Sequence, residues 1–161
     1  MPAPDDAASP KTLSPERAQQ RRAISAHDPD WSRERPGRYW EPSKRLIAAF
    51  RAYQRHRDQP KPWSFLAKKM LVLQHRFWSV VTASDIPLNS QLEGGLILQH
   101  PVGVVIHPDS TVGPNCLILQ HVTLVGGVRV GGHVDLGAGA KVVRPVTIGD
   151  HAVVGAEDVA D

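Results

Sequence analysis

The stretch that decides the fold is IHPDSTVGPNCLILQHVTLVGGVRVGGHVDLGAGAKVVRPVTIGDHAVVG, residues 106–155. Every sixth residue in it is aliphatic, and glycine often follows that aliphatic residue directly. A period of six fits neither an α-helix nor the simple alternation of a strand. It indicates a coil with three short flat faces, one hexapeptide per face and about 18 residues per turn. The aliphatic positions are Ile106, Val112, Ile118, Leu124, Val130, Leu136, Val142, Ile148 and Val154.

In such a coil the aliphatic residue of each face points inward, and residues 18 apart stack on one another. Successive coils pair backbone to backbone and bury their aliphatic residues only against neighbouring coils. The sequence therefore predicts a parallel β-helix. The pattern leaves the hand of the coil open, although the general rule for parallel crossovers favours a right-handed one. Cys116 falls at an inward position for small residues, so we expect a core residue there rather than a catalytic thiol.

The period is interrupted once. Upstream of the quoted stretch, Ile86, Leu92 and Leu98 keep the spacing of six, but eight residues separate Leu98 from Ile106. Two extra residues therefore lie within LQHPVG, residues 98–103. Insertions in solenoids lie on the surface and commonly build function. His100 lies inside this interruption, which makes it a candidate functional residue.

The N-terminal half has a different pattern. We expect a disordered leader over residues 1–34, an α-helical region over 35–84 and the β-helix over 85–161. Within the helical region, one helix is predicted from Ser43 and a second from about Trp63, packed as a hairpin on the β-helix. The apolar stripe of the first is Leu46, Ile47, Phe50 and Tyr53. That of the second, also expected to be core, is Trp63, Leu66, Ala67, Met70, Leu71, Phe77, Trp78 and Val81.

The composition bounds the size and the class of the protein. The chain has 161 residues, of which 41% are hydrophobic and 22% charged, enough for one modest core rather than two independent domains. A single cysteine excludes a disulfide framework and suits a reducing compartment. We find no apolar run long enough to span a membrane and no secretory signal at the N-terminus. These features favour a cytoplasmic protein that does not bind membranes.

Charge is distributed unevenly along the chain. Residues 1–84 hold 16 of the 19 Lys and Arg residues and 8 acidic residues, whereas residues 85–161 hold 3 basic and 8 acidic residues. A basic half can indicate nucleic-acid binding. Here the basic residues are dispersed along the polar sides of the predicted helices. We therefore expect solvated helix faces and no nucleic-acid partner.

The segment over residues 84–127 resembles the bacterial serine acetyltransferases, which are hexapeptide-repeat acyltransferases with a left-handed β-helix. A further match is GAGAKVV, residues 137–143. The residues that carry the resemblance are Asp85-Ile86, His100 with Gly103, and Val122-Thr123-Leu124 with Gly126-Gly127. It implies a mainly β fold, a left-handed parallel β-helix preceded by a short α-helical region. It also implies an acetyl-CoA-dependent O-acetyltransferase, most simply of L-serine in cysteine biosynthesis.

The same resemblance assigns roles to individual residues. His100 corresponds to the general base and Asp85 to the carboxylate that orients it. A histidine suits this work because its pKa lies near neutrality. Gly126, Ala138 and Ala156 correspond to positions that contact the arm of coenzyme A. The alternative is that these corners need small residues for steric reasons alone. The family also implies a homotrimer with active sites between neighbouring chains, or a dimer of trimers.

Two departures from the family pattern bear on the acceptor. Gln99 stands where an Asp precedes the base, and only six residues separate Leu124 from Val130, so the loop that carries an Arg-His pair is missing. Both losses weaken serine as the acceptor. They leave open a sugar or polysaccharide-precursor hydroxyl as the acceptor, and also a non-catalytic β-helix that serves as an assembly module.

The remaining histidines prompt a test for a metal site. Zinc-binding β-helices of this shape use two histidines five residues apart plus a third from a preceding coil. The candidates here are His107, His121, His133 and His151, of which only His133 and His151 are 18 apart and would stack. No histidine pair has the spacing of five, so we expect no metal.

Overall fold

The computed structural model describes residues 24–37, 39–57 and 64–160. The expectations for residues 1–23 and for Trp63 lie outside these described residues.

Twelve two-residue strands stack into three parallel sheets of four strands each, which confirms the predicted parallel β-helix. We refer to the sheets as face 1 (β1-β4-β7-β10), face 2 (β2-β5-β8-β11) and face 3 (β3-β6-β9-β12). The strands are β1 (Gln91–Leu92), β2 (Ile97–Leu98), β3 (Val105–Ile106), β4 (Thr111–Val112), β5 (Leu117–Ile118), β6 (Thr123–Leu124), β7 (Arg129–Val130), β8 (Asp135–Leu136), β9 (Lys141–Val142), β10 (Thr147–Ile148), β11 (Val153–Val154) and β12 (Val159–Ala160).

The strand register places the interruption where the sequence predicts it. Gln91 pairs with Thr111 and Ile97 with Leu117, an offset of 20 residues. From β3 onward the offset is 18, as in the pairing of Val105 with Thr123. The two extra residues therefore lie between β2 and β3, at the corner that joins face 2 to face 3.

Two residues of each hexapeptide fill the interior. The residue at the period of six is buried in every coil up to Val142, and Ile148 and Val154 pack against that core while partly exposed. The residue two positions earlier is also inward. At this position the side chains of five residues are fully buried: Cys116, Val122, Val128, Val134 and Ala140.

The corners of the coil use the left-handed backbone conformation. At the corner that follows face 2 it is adopted by Gly103, His121, Gly139 and Glu157. The N–H groups of the last three each donate to the corner of the coil before, as His121 N does to the carbonyl of Val102 at 2.8 Å. The N–H of Gly103 donates instead to the carbonyl of Ala83, which precedes the first coil. A side chain at Gly103 would overlap the imidazole of His121, so glycine is required there for steric and conformational reasons.

A helical hairpin precedes the β-helix, as predicted, and consists of α1 (Pro42–Arg57) and α2 (Ser64–Thr82). The buried side of α1 carries Leu46, Ile47 and Phe50, which join the core of the first coil. Within the described residues, neither helix is long and apolar enough to cross a membrane.

The prediction for the buried side of α2 was wrong. Leu66, Met70 and Phe77, expected in the core, are more than half exposed, while His75 and Thr82 are buried. The helix carries apolar residues on both sides, so apolar spacing did not identify the side that packs on α1. We define the outer face of α2 as its exposed apolar residues: Phe65, Leu66, Met70, Leu73, Phe77, Val80 and Val81.

Residues 24–34, which we expect to be disordered from composition, instead lie along the corner that follows face 1. Asn115 fixes them there, because its Nδ2 donates to the carbonyls of Ser25 and Asp28, both at 2.8 Å, and its Oδ1 accepts from the N–H of Asp30. Ala26 packs on Gly132, and any side chain at position 132 would overlap the carbonyl oxygen of Ala26. Polar contacts hold this segment on the β-helix. Because such contacts leave no apolar periodicity in the sequence, the pattern did not indicate that the segment docks there.

A buried ion pair links the same segment to the helices. Glu34 is 7% exposed, accepts from the N–H of Leu96 and pairs with Arg51 of α1 at 2.8 Å. Arg51 also donates to the carbonyls of Leu92 and Glu93. This pair therefore ties together the N-terminal segment, α1 and the first coil.

We predict that Asn115→Ala lowers the free energy of unfolding by about 2–4 kcal/mol, because three hydrogen bonds are lost and alanine is strained at positive φ. Asn115→Gly removes the same hydrogen bonds without the backbone strain, so it should be less damaging by about 1 kcal/mol. Urea denaturation of the three proteins measures both differences. Unchanged stability in both variants would show that Asn115 does not hold the segment.

Candidate functional site

The interruption places His100 at the corner between faces 2 and 3. His100 is exposed and adopts a left-handed backbone, with φ of 55°. Beside it lies an open cavity of about 530 Å³, walled by the start of α1, the end of α2 and the interrupted corner. The lining residues are Trp40, Glu41, Pro42, Ser43, Lys44, Val81, Thr82, Ile97, Leu98, Gln99, His100, Pro101 and Val102.

Charged and aromatic groups line this cavity together with His100. Glu41 and Lys44 form an ion pair at 3.1 Å, and the other Glu41 oxygen accepts from the N–H of Gly37. The Gly37 hydrogen bond and then Lys44 lower the pKa of Glu41, so the carboxylate is ionised at neutral pH. Trp40 is 71% exposed and packs on Trp78, with ring centroids 5.4 Å apart. Neither Glu41 nor Lys44 stood out in the sequence, because no motif surrounds them.

Asp85 opens the first coil. Its N–H donates to the carbonyl of Val104 at 2.8 Å, and its carbonyl accepts from Ile106, which places it beside Val105 on face 3. Its side chain is exposed. Asp85 and His100 thus lie on adjacent coils, at the start of face 3 and at the corner that leads into it. Among the described residues, no hydrogen bond or ion pair joins their side chains.

The residues expected to contact coenzyme A divide between the corner that leads into face 3 and the corner that follows it. Ala138 lines an open groove of about 610 Å³ together with His121, Thr123, Lys141 and Glu157. Ala156 is exposed at the same corner one coil further on, since Glu157 N donates to the carbonyl of Ala138. Gly126 lies at the far end of face 3, where a Cβ would approach Nδ1 of His107 to 3.0 Å. The structure brings the two alanines together and places Gly126 apart from them.

His121 also lines this groove, although its sequence position suggested a role only as a possible metal ligand. The segment LILQH occurs twice, at residues 96–100 and 117–121, and this repeat was the available signal. The repeat is 21 residues, whereas the register of these coils is 20. His121 consequently lies against Gly103 rather than beneath His100.

His133 and His151 stack as their spacing predicts. Their Nδ1 atoms lie 2.8 Å apart, with His133 buried and His151 exposed. Across the described ranges 24–37, 39–57 and 64–160, no three His, Cys, Asp or Glu side chains are grouped so that they could hold a metal ion. The pair lies at the corner that follows face 1, away from His100.

Cys116 is a core residue. Its side chain is fully buried, and its thiol donates to the carbonyl of Gly131 at 3.1 Å. Burial raises the pKa of the thiol to about 11. A thiol in this state is a poor nucleophile, so it takes no part in the candidate site.

Known proteins similar to this chain are serine acetyltransferases. Serine acetyltransferase 5 of Arabidopsis thaliana is 36% identical over 101 residues, which cover 62% of this chain and 32% of that protein. The serine acetyltransferase of Mycobacterium tuberculosis is 34% identical over 105 residues, 60% of this chain and 46% of that protein. A solved serine acetyltransferase in complex with CoA is 27% identical with a TM-score of 0.60, covering 74% of this chain and 49% of that one.

In both sequence and fold, this chain is similar to serine acetyltransferases. It spans about a third to a half of the length of these relatives. No protein-family model matches it.

We predict that Cys116 resists alkylation in the folded protein. With a pKa of about 11, about one thiol in a thousand is ionised at pH 8, and the side chain is also inaccessible. Iodoacetamide labelling followed by mass spectrometry should show labelling only after denaturation. Rapid labelling of the native protein would contradict the buried position.

Proposed function

We propose that this protein is an acetyl-CoA-dependent O-acetyltransferase whose acceptor is most simply L-serine, which becomes O-acetyl-L-serine in cysteine biosynthesis. The observation that carries the proposal is the interruption of the coil. In a serine acetyltransferase-like fold, the break in register exposes His100 beside a cavity. The similarity to enzymes named serine acetyltransferases supports the acceptor. The pathway and the single reduced cysteine support a cytoplasmic location.

The proposed reaction needs one base. His100 accepts the proton of the acceptor hydroxyl while the oxygen attacks the thioester carbonyl carbon. The tetrahedral intermediate then collapses, the carbon–sulfur bond breaks, and the imidazolium returns the proton to the departing CoA sulfur. No covalent enzyme intermediate is required. A base of this kind contributes about 10²–10⁴ in rate.

Asp85 is the proposed partner of the imidazole. A carboxylate on the second ring nitrogen fixes the tautomer and stabilises the imidazolium. The two side chains belong to adjacent coils without a hydrogen bond between them. Catalytic hydrogen bonds often tighten only when substrate binds, so we propose that this contact forms in the loaded enzyme.

The groove on face 3 is the proposed site for the arm of coenzyme A. Ala138 lines it, and Ala156 continues the same edge into the next coil. Gly126 would contact the cofactor from the other end of the face. The small side chains leave the backbone accessible at this corner. We propose no metal in the reaction.

A second candidate acceptor is a sugar or polysaccharide-precursor hydroxyl. Trp40 favours it, because an exposed indole on the cavity wall offers a flat surface for a sugar ring. Gln99 also suits a neutral acceptor better than the Asp of the family pattern. An acceptor panel of L-serine and sugars separates the two readings. A third hypothesis, a non-catalytic assembly module, would be excluded by turnover with any acceptor.

We also propose a homotrimer formed through the β-helices. Apolar side chains on their outer surface support it, including Val105, Val153 and Val159, which are 39%, 58% and 61% exposed. A shared active site would then contain His100 of one chain and coenzyme A contacts of the next. The outer face of α2 supports further pairing of trimers, because a contiguous set of exposed large apolar side chains is typical of association surfaces.

We predict that His100→Ala lowers kcat for acetyl transfer by about 10²–10⁴, because the base is lost. Asp85→Asn should lower it less, since the base remains. His27→Ala, an exposed histidine at a different corner, is the matched control and should retain activity. Thiol release from acetyl-CoA with L-serine measures all three. Full activity of His100→Ala would remove His100 as the base.

We predict that light scattering gives three or six times the monomer mass of 17.6 kDa. Leu73→Glu on the outer face of α2 should convert a six-chain assembly to a trimer, because it buries a charge between trimers. Gln74→Glu, exposed beside it, should leave the mass unchanged. A fully active species at monomer mass would refute the shared site.

A further inference from the structure

We propose that Glu41 and Lys44 recognise the two charged groups of an amino-acid acceptor in the cavity beside His100, with Glu41 binding the ammonium and Lys44 the carboxylate. This inference rests on the proposed acetyltransferase function and assigns the residues that select its acceptor. Both lie at the start of α1 and line the same cavity as His100. The selecting groups and the base therefore come from different segments and face one space.

The charge inventory of the cavity points to this pair. Among the described residues that line it, Glu41 and Lys44 are the only acidic and basic side chains besides the imidazole. The positions that the family pattern would use are changed, because Gln99 replaces a carboxylate and the loop with the Arg-His pair is missing. An amino-acid acceptor would otherwise meet no fixed charge of either sign here.

The geometry of the pair matches that of its proposed ligand. The ammonium and carboxylate of an α-amino acid are attached to one carbon, so the groups that bind them must also be neighbours. Lys44 Nζ and Glu41 Oε1 are 3.1 Å apart, and their side chains are 38% and 32% exposed. A zwitterion can exchange for this ion pair charge by charge, so neither side chain is left without a counter-charge.

Local structure prepares each group for its role. Gly37 N–H holds one oxygen of Glu41, which fixes the carboxylate while the oxygen that faces Lys44 can turn to a ligand ammonium. Lys44 lies in the first turn of α1, a 16-residue helix without acidic residues in that turn. The positive end of the helix dipole adds to the lysine charge and favours a carboxylate. The hydroxyl of the bound amino acid would then extend toward His100.

The experiment removes one charge from the protein or one from the acceptor. The acceptors are L-serine, ethanolamine, which lacks the carboxylate, and L-glycerate, which has a hydroxyl in place of the ammonium with the same configuration. The variants are Lys44→Met and Glu41→Gln. Arg45→Met is the matched control, because Arg45 is exposed next to Lys44 but does not line the cavity. Thiol release gives kcat/KM for each acceptor and KM for acetyl-CoA, and calorimetry measures L-serine binding without turnover.

We expect Lys44→Met to lower kcat/KM for L-serine about 10- to 100-fold, which is the range expected for loss of a charged hydrogen bond. The same variant should leave kcat/KM for ethanolamine nearly unchanged, because ethanolamine has no carboxylate. Glu41→Gln should lower kcat/KM for L-serine by a similar factor and leave kcat/KM for L-glycerate nearly unchanged. Both variants should weaken L-serine binding in calorimetry, with KM for acetyl-CoA preserved. Arg45→Met should match the wild type throughout.

Other outcomes overturn the inference in recognisable ways. An equal loss with all three acceptors would show a structural role for the variant residue. A wild type that acetylates L-serine, with no response to either substitution, would overturn the inference and leave the proposed function standing. A wild type that acetylates only sugars would also overturn it. A wild type that neither binds L-serine nor releases thiol with any acceptor would overturn the proposed function as well.

Discussion

Backbone hydrogen bonds between successive coils hold this molecule together and set the spacing of everything attached to it. At the corners that follow faces 1 and 2, backbone N–H groups such as those of His121 and His133 donate to the corner of the coil before. From β3 onward, each strand pairs with the strand 18 residues away. Because this pairing is parallel and in register, the inward side chains of every hexapeptide meet the same partners above and below. The aliphatic residue at the period of six and the small residue two before it then fill a narrow core. A change in spacing cannot be absorbed inside the coil and must emerge at a corner.

The two extra residues between β2 and β3 are such a change. The pairing resumes on both sides of them, with an offset of 20 before and 18 after, so the distortion is confined to one corner. It carries His100 to the surface beside the start of α1. The candidate site is therefore built where the regular fold is broken, with the helical hairpin as its opposite wall. The rest of the β-helix provides a rigid support for that corner and a groove along face 3.

The β-helix could be predicted from sequence because its signal is repeated. Nine aliphatic positions at one spacing determine the inward residues, and the single break in the spacing locates the interrupted corner. The helices lack such redundancy. α2 is apolar on both sides, so its spacing was compatible with either orientation. Its buried side contains Thr82 and His75, and the ring of His75 lies beside Phe50 of α1. The N-terminal segment is held by Asn115 and by the pair of Glu34 with Arg51, contacts between residues far apart in sequence. Composition does not reveal such polar contacts.

The candidate site was predictable only in part for the same reason. His100 stood out by its place in the interruption, and the resemblance to serine acetyltransferases supplied Asp85. Part of the cavity wall comes from residues more than fifty positions before His100. No local sequence motif identifies Glu41, Lys44 or Trp40 as site residues. Only the docking of the hairpin on the first coil brings them to the corner. For Gly126 the motif match is clear, but the structure places it at the corner after face 3, apart from Ala138 and Ala156 at the corner before it.

We propose that the break in register between β2 and β3 creates the site. Deleting Pro101 and Val102 restores the spacing of six between Leu98 and Ile106 while keeping His100 and Gly103. The most direct test compares thiol release from acetyl-CoA by this variant and by the wild type, after urea denaturation has shown that both unfold cooperatively. We predict a folded variant, at least as stable as the wild type, that has lost acetyl transfer because His100 now occupies an ordinary corner. A folded variant with undiminished acetyl transfer would contradict the account.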